Sequence, residues 1–265
     1  MLRTLSCTAL LLATFTVAAA EAPAAQPETL TILSSGGIMG AIRAVAPAYE
    51  KSHGIKLDIQ AAPSMGDTPQ AVPNRLARGE KADLVLMVGS ALDNLVDKNL
   101  VNKASRVDLG ESYIAMAVRK GEPKPDISDM KALRKTLLDA KSVAYSDSAS
   151  GVYLSKTLFP SMDLGKAFDA KAHMIPAEPV GAVVARGEAQ IGFQQLSELK
   201  PVSGIDIVGL IPAKAQKMTL YSGGVVSNST HQSQAQALLD YLASRQADAA
   251  IEGSGLKPLV HKTAQ

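Results

Sequence analysis

Thr29-Leu30-Thr31-Ile32-Leu33-Ser34-Ser35-Gly36-Gly37-Ile38 begins as a short β-forming run, turns through two serines and two glycines, and enters a helical pattern. Ile38, Ile42, Val45 and Tyr49 recur at the spacing of one helix face. Strand, Ser/Gly turn and helix gather free backbone N–H groups and the positive end of a helix dipole at one point. With no Cβ in the way, an anion can approach the backbone closely at the two glycines. Taken alone, such a turn is equally compatible with routine βα packing.

The same alternation continues downstream. Residues 55–60 read as a strand, followed by a turn-rich loop over 62–69 and a helix reaching about residue 78. Asp67 or Thr68 is the expected N-cap of that helix, with Pro69 at its first position. Residues 82–88 form an apolar run suited to a buried parallel strand, and 90–98 a helix capped by Ser90. This βαβαβα order predicts right-handed crossovers and a parallel sheet. A strand over 113–119 precedes a change of composition at Gly121-Glu122-Pro123-Lys124-Pro125, where the chain is expected to enter a second lobe. Helices are predicted over 128–138, 152–159 and 181–186, and strands over 142–145, 174–176, 191–194, 205–210 and 220–226. The last of these strands returns to the first lobe. A final helix over 231–244 carries Ala235, Leu238, Leu239 and Leu242 on one face. The expected organisation is lobe 1 over 29–112 and 219–265 and lobe 2 over 113–218. Each lobe is expected to be a mostly parallel sheet flanked by helices, with a ligand cleft between them.

Residues 1–20 read as a cleaved export signal: Arg3, a mostly apolar stretch, then Ala18-Ala19-Ala20. The apolar part is too short for a permanent membrane anchor. Residues 21–28 would form a short arm, and the expected location is the periplasm. Cleavage removes Cys7, the only cysteine, so the roughly 240 remaining residues must rely on a hydrophobic core. The net charge of +2 shows no basic run of the kind that binds nucleic acid. Four scattered histidines and no cysteine pair give no transition-metal signature.

Four turns share one grammar of strand, small or polar turn and helix. They contain Ser35, Gly36 and Gly37; Ser64, Met65 and Gly66; Ser148, Ser150, Gly151 and Val152; and Glu178, Pro179 and Val180. In open α/β sheets, ligands bind at such carboxyl-end turns. One helix N-terminus favours an anion by about 0.3–1 kcal/mol, up to ~2 when partly buried. Micromolar affinity needs about 8 kcal/mol, so direct hydrogen bonds must supply most of it. Arg75, Arg119 and Arg186 are candidate carboxylate clamps, Arg75 foremost, or solvated surface charges. Gln194-Gln195 at a strand end suits a polar ligand or an exposed loop start. His173 reads as structural or surface. The chain carries no nucleophile elbow, HExxH, Walker A or dinucleotide fingerprint.

Gly79-Glu80-Lys81-Ala82-Asp83-Leu84, Ser150-Gly151-Val152-Tyr153, Pro176-Ala177-Glu178-Pro179-Val180-Gly181-Ala182 and Ile191-Gly192-Phe193, with the opening turn, resemble the type II periplasmic binding proteins. The resemblance is to the molybdate-binding branch. It implies the two-lobe α/β fold and an anion held by backbone N–H groups near Ser64, Ser150 and Val180. Gly37 and Gln195 fall where molybdate binders carry a serine and a tyrosine, which points to a carboxylate instead. Ser34-Ser35-Gly36-Gly37, the run from Pro63 through Gly79, the run from Tyr145 to Tyr153 and Gly192-Phe193-Gln194-Gln195 are similar to the subgroup that contains the periplasmic aconitate isomerases.

That subgroup implies a cofactor-independent isomerase moving a proton between the allylic carbons of trans- and cis-aconitate. Candidate bases are Asp147 first, then Tyr153, Glu178 and His173, with Arg75 and the helix N-termini holding carboxylates. The alternative is a non-catalytic receptor that passes a small anion to an ABC permease. In either case the expected partner is a small anion, a di- or tricarboxylate, and the expected state is a monomer.

Overall fold

The computed structural model describes residues 28–176 and 178–260. The expected leader and all of the arm except Glu28 lie outside the described residues.

β1 (Thr29–Ser34) runs through the Ser/Gly turn into α1 (Gly36–His53), where Ile38, Ile42, Val45 and Tyr49 are buried as their spacing predicts. The first half continues through β2 (Lys56–Ala61), α2 (Val72–Ala77), β3 (Leu84–Val88) and α3 (Gly89–Asp97). α2 starts later than the Asp67/Thr68 cap predicts. The Thr68 hydroxyl accepts from Gln70 N (3.1 Å), and Ala71 N donates to the Thr68 carbonyl (3.0 Å). That turn keeps Pro69 out of the helix, and Pro73 sits in its first turn instead. Ser90 does not cap α3, which already begins at Gly89 without a side-chain cap.

β4 (Val107–Ser112) has no counterpart in the sequence reading. Its Val-Asp-Leu-Gly-Glu-Ser run has weak strand character, and pairing with a distant strand holds it in place. There follow β5 (Ile114–Arg119), α4 (Met130–Asp139) and β6 (Val143–Ser146). Asp129 caps α4 by accepting from Ala132 N (2.8 Å). The helix expected over 152–159 is a composite. α5 (Ala149–Tyr153) widens into a π-helical stretch at Leu154–Leu158 and closes as α6 (Phe159–Ser161). Ser155 Oγ donates back to the Gly151 carbonyl (2.8 Å) at this widening. The chain continues through α7 (Lys166–Asp169), β7 (Ala172–Ile175), α8 (Val180–Ala185), β8 (Ile191–Gln195), α9 (Leu196–Leu199) and β9 (Ile205–Leu210). It ends with β10 (Thr219–Val225), α10 (Gln232–Leu242), α11 (Asp248–Gly253) and β11 (Lys257–Pro258). Ala235, Leu238, Leu239 and Leu242 form the buried face of α10.

The strands form two sheets, one ordered β11-β4-β10-β3-β1-β2 and the other β7-β6-β8-β5-β9. Both are mixed rather than mostly parallel. β1 pairs parallel with β2 and β3, and β6 with β7 and β8. The antiparallel pairings involve β10 beside β3 and β4, β11 beside β4, and β5 between β8 and β9. β4 and β5 lie on either side of the crossing from one sheet to the other, and β10 follows the return. One face of the first sheet is covered by α1, α10 and α11, the other by α2 and α3. The second sheet packs around Met116, Leu137, Phe159 and Phe193.

The chain crosses between the sheets at 112–114 and again at 211–218. The two crossings are laced together: Ile114 N donates to Gln216 Oε1 (3.0 Å) and Gln216 Nε2 donates to the Ile114 carbonyl (2.7 Å). α9, at the end of a second-sheet strand, packs against α1 of the first sheet. That contact creates the candidate site.

Candidate active site

Ser35 is the N-cap of α1 in extended conformation, and its N–H donates to the Leu86 carbonyl (2.8 Å). β1, α1 and the end of β3 are thereby fixed together. Its side chain makes no capping bond, and Ser35 Oγ is buried without a partner. The amides of the first turn have no carbonyl ahead of them within the helix. At Gly37, an added Cβ would overlap the Tyr221 hydroxyl. The glycine is therefore needed, and a serine of the molybdate-binder kind is sterically excluded. A phenol reaching over from β10 takes that space. Burial, together with the negative charge of Glu198, pushes the Tyr221 hydroxyl well above its usual range. It stays protonated, and so remains a hydrogen-bond donor, at any working pH.

Glu198 lies against the same turn. A Cβ built on Gly36 would be 3.0 Å from Glu198 Oε1, and Glu198 Oε2 is buried without a partner. The local reason for its position is helix capping. Gln195 is the N-cap of α9 and Glu198 is three residues on, so the carboxylate reaches back to the Gln195 backbone N–H. Desolvation raises its pKa to about 7, opposed by hydrogen bonds from the Gln194 side chain and the Gln195 backbone; the Asp147 charge adds to the rise. A part-buried carboxyl raised to about 7 beside a helix start has the properties of a general acid–base group.

β8 supplies the floor. Gln194 and Gln195 are buried, at 6% and 1% exposure. Gln195 Nε2 donates to Thr219 Oγ1 (2.8 Å) at the start of β10, and Gln195 Oε1 is buried without a partner. Among the described residues, Ser35 Oγ, Gln195 Oε1 and Glu198 Oε2 are thus buried polar atoms without partners, carried by α1, β8 and α9. Native interiors rarely leave such atoms unpaired, and a bound polar ligand is one way to satisfy them.

The third turn adds hydroxyls. Ser146 Oγ lies 2.8 Å from Ser148 Oγ and 3.2 Å from Ser150 Oγ. A Cβ at Gly151 would overlap the Ser146 carbonyl, so only glycine lets the helix start fold back onto β6. Asp147 is exposed on this turn, and its charge acts on Glu198. Val152 is half-exposed. Ser64 is buried, and its Oγ accepts from Val88 N (3.0 Å), which leaves the hydroxyl hydrogen free to be directed elsewhere. Met65 packs partly into the neighbouring core, and exposed Gly66 takes a left-handed backbone (φ 105°).

The remaining candidates are placed differently. The Val180 N–H, expected to meet an anion, donates to Gln194 Oε1 (3.0 Å). Pro179, the N-cap of α8, is exposed. Glu178 is exposed and held by Arg186 through two hydrogen bonds of 3.1 Å, while Arg186 also binds Glu188. Arg75 Nε donates to Glu80 (2.9 Å), and its Nη2 bonds Glu80 and Gln60, so the foremost expected clamp is engaged within the first lobe. Arg119 pairs with Glu122 (2.7 Å). The Tyr153 hydroxyl donates to the Ala215 carbonyl (3.1 Å), a link to the second crossing. His173 is exposed on β7.

Two residues that the sequence reading missed, Glu198 and Tyr221, occupy the centre. The available signal was a glutamate three residues after the end of a buried strand, the spacing of a capping box. Nothing local marks Tyr221, which is brought in by the return of β10 to the first sheet.

A family model described as bacterial extracellular solute-binding protein matches residues 30–257. The chain belongs to this family. A Pseudomonas protein named aconitate isomerase is 75% identical over 237 residues, covering 89% of this chain and 90% of the relative. Among solved structures, the periplasmic molybdate-binding protein of Azotobacter vinelandii superposes with a TM-score of 0.70 at 17% identity, covering 88% of this chain and all of that one. The sulfate-binding protein SubI of Mycobacterium tuberculosis gives 0.67 at 19% identity, covering 88% and 87%. These two likenesses show the two-lobe solute-binding fold. Among the described residues, no helix is long and apolar enough to cross a membrane.

Proposed function

We propose that this solute-binding-family protein is an aconitate isomerase that interconverts trans- and cis-aconitate. The observation that carries the reading is the 75% identity to the Pseudomonas aconitate isomerase across nearly the whole of both chains. The site is consistent with it. The α1 N-terminus and the Tyr221 hydroxyl are donors for a carboxylate, and the unpartnered Ser35 Oγ and the Glu198 carboxyl lie at the same helix start.

In the reaction, a base takes a proton from the methylene carbon of trans-aconitate. The C–H electron pair enters the conjugated system, and the double bond moves by one carbon. A proton then returns to the former vinylic carbon. The intermediate carries its charge into a carboxylate oxygen, where fixed N–H and O–H donors stabilise it. Exchange of a molybdate binder's serine for Gly37, with Tyr221 filling the space, suits a planar carboxylate ligand over a compact tetrahedral oxyanion. The protein would act in the periplasm after cleavage of residues 1–20.

The family fold also favours a second reading, a receptor that binds a di- or tricarboxylate for an ABC permease without chemistry. Ultraviolet absorbance separates the two. Purified protein given trans-aconitate should bring the absorbance to the value of the cis/trans equilibrium. An unchanging absorbance with a clear thermal shift would establish the receptor.

A further inference from the structure

Resting on the isomerase reading, we propose that Glu198 is the base that takes the methylene proton of trans-aconitate and returns a proton to the neighbouring allylic carbon.

The geometry singles it out. Glu198 Oε1 lies against Gly36 at the start of α1, the place best suited to receive a substrate carboxylate, and Oε2 is buried with no partner. A carboxylate oxygen enclosed and unpaired is costly unless something else uses it. Ser35, the cap of that same helix, also has a buried hydroxyl without a partner among the described residues. Asp147 faces Glu198 from the turn after β6, Tyr221 from β10, and Gln194 and Gln195 from β8. Of the two carboxyls here, Asp147 is exposed, whereas Glu198 is part-buried and its Oε2 is shielded from water. A shielded carboxyl holds a captured proton long enough to return it to carbon.

The step balances without a co-reactant. The Glu198 carboxylate forms an O–H bond as the methylene C–H bond breaks, and the electron pair moves into the π system. The same carboxyl then gives its proton to the other allylic carbon and is regenerated as the carboxylate. Burial tunes the group for both halves. It is raised to about 7, where it can accept and donate a proton at neutral pH.

The competing explanation is purely structural, that Glu198 only caps α9. Glu198→Gln separates the two, because glutamine makes the same capping bond but cannot take a proton from carbon. The expected result is that Glu198→Gln unfolds cooperatively, is still thermally stabilised by trans-aconitate, and has a kcat lower by roughly 10²–10⁴-fold. Wild-type kcat in Glu198→Gln would overturn the assignment and leave a cap. Loss of trans-aconitate stabilisation in step with the rate would overturn it too, making Glu198 a binding group. An inactive wild-type protein would instead bring down the isomerase reading, and this proposal with it.

Discussion

Two helix N-termini, those of α1 and α8, follow the same strand-turn-helix grammar yet end in opposite conditions. At α8 the first amide is satisfied by Gln194 Oε1, and the nearby Glu178 is locked to Arg186. At α1 the cap hydroxyl is unpartnered among the described residues, an oxygen of the part-buried Glu198 carboxyl lies 3.0 Å from the place of a Gly36 Cβ, and a phenol replaces the side chain that Gly37 lacks. The difference is made by α9. Its single turn carries Glu198 across to α1, while the strand before it turns Gln194 back toward α8. A helix N-terminus is thus a site only where the rest of the fold leaves its donors open and adds chemistry beside them.

The largest effect is expected at α1, where Glu198→Gln removes the proton carrier. The corresponding change near α8, Glu178→Gln, should leave kcat and the thermal midpoint at wild-type values, since it touches only an exposed ion pair. A rate loss at Glu178 comparable to that at Glu198 would erase the distinction.

Tyr221→Phe comes next. It removes a buried donor beside the place where negative charge develops. Hydrogen bonds to charged groups are worth about 1.5–3 kcal/mol, so kcat/KM for trans-aconitate should fall roughly ten- to a hundredfold. Steady-state kinetics beside an unchanged unfolding midpoint would check it. Gln194→Leu should lower stability, because the Val180 N–H would be left buried and unpaired, and should slow turnover too, because it removes a hydrogen bond to Glu198. A loss of about 1–3 kcal/mol in denaturant unfolding is expected.

Glu198 also predicts a dependence on pH. Only its ionised form accepts a proton from carbon, so kcat/KM should decline as pH falls through about 7. The stability effect has the opposite sense. Because the folded-state value lies above the ordinary 4.5, the unfolded chain loses its proton first, and folding weakens as pH rises from 4.5 to about 7. Each tenfold in proton affinity is worth ~1.4 kcal/mol, so wild type should trail Glu198→Gln by up to about 3 kcal/mol above pH 7 and match it below 4.5. Unfolding of both proteins at pH 4 and pH 8 measures this difference.

Much of the fold was legible where long periodic segments meet turn residues. The faces of α1 and α10 and most strands of the βα units follow directly from spacing. β4 was not legible, because a strand with two acids and an internal glycine gains its stability from β10, more than a hundred residues away. α9 was not legible because four residues show no helical period. The site follows the same division. The Ser35, Ser64 and Gly151 turns announce themselves by composition. Glu198 lies on the helix that had no signal, and Tyr221 arrives through long-range pairing. Arg75 looked available only because sequence does not show Glu80 and Gln60 closing on it.

The most direct test follows the proton itself. Wild type and Glu198→Gln would each be incubated with trans-aconitate in D2O and watched by proton nuclear magnetic resonance at the methylene and vinylic positions. Wild type should form cis-aconitate, while Glu198→Gln should leave both the double bond and the methylene hydrogens in place over the same time. Deuterium entering the methylene group at the wild-type rate without Glu198 would place the base elsewhere and contradict the account.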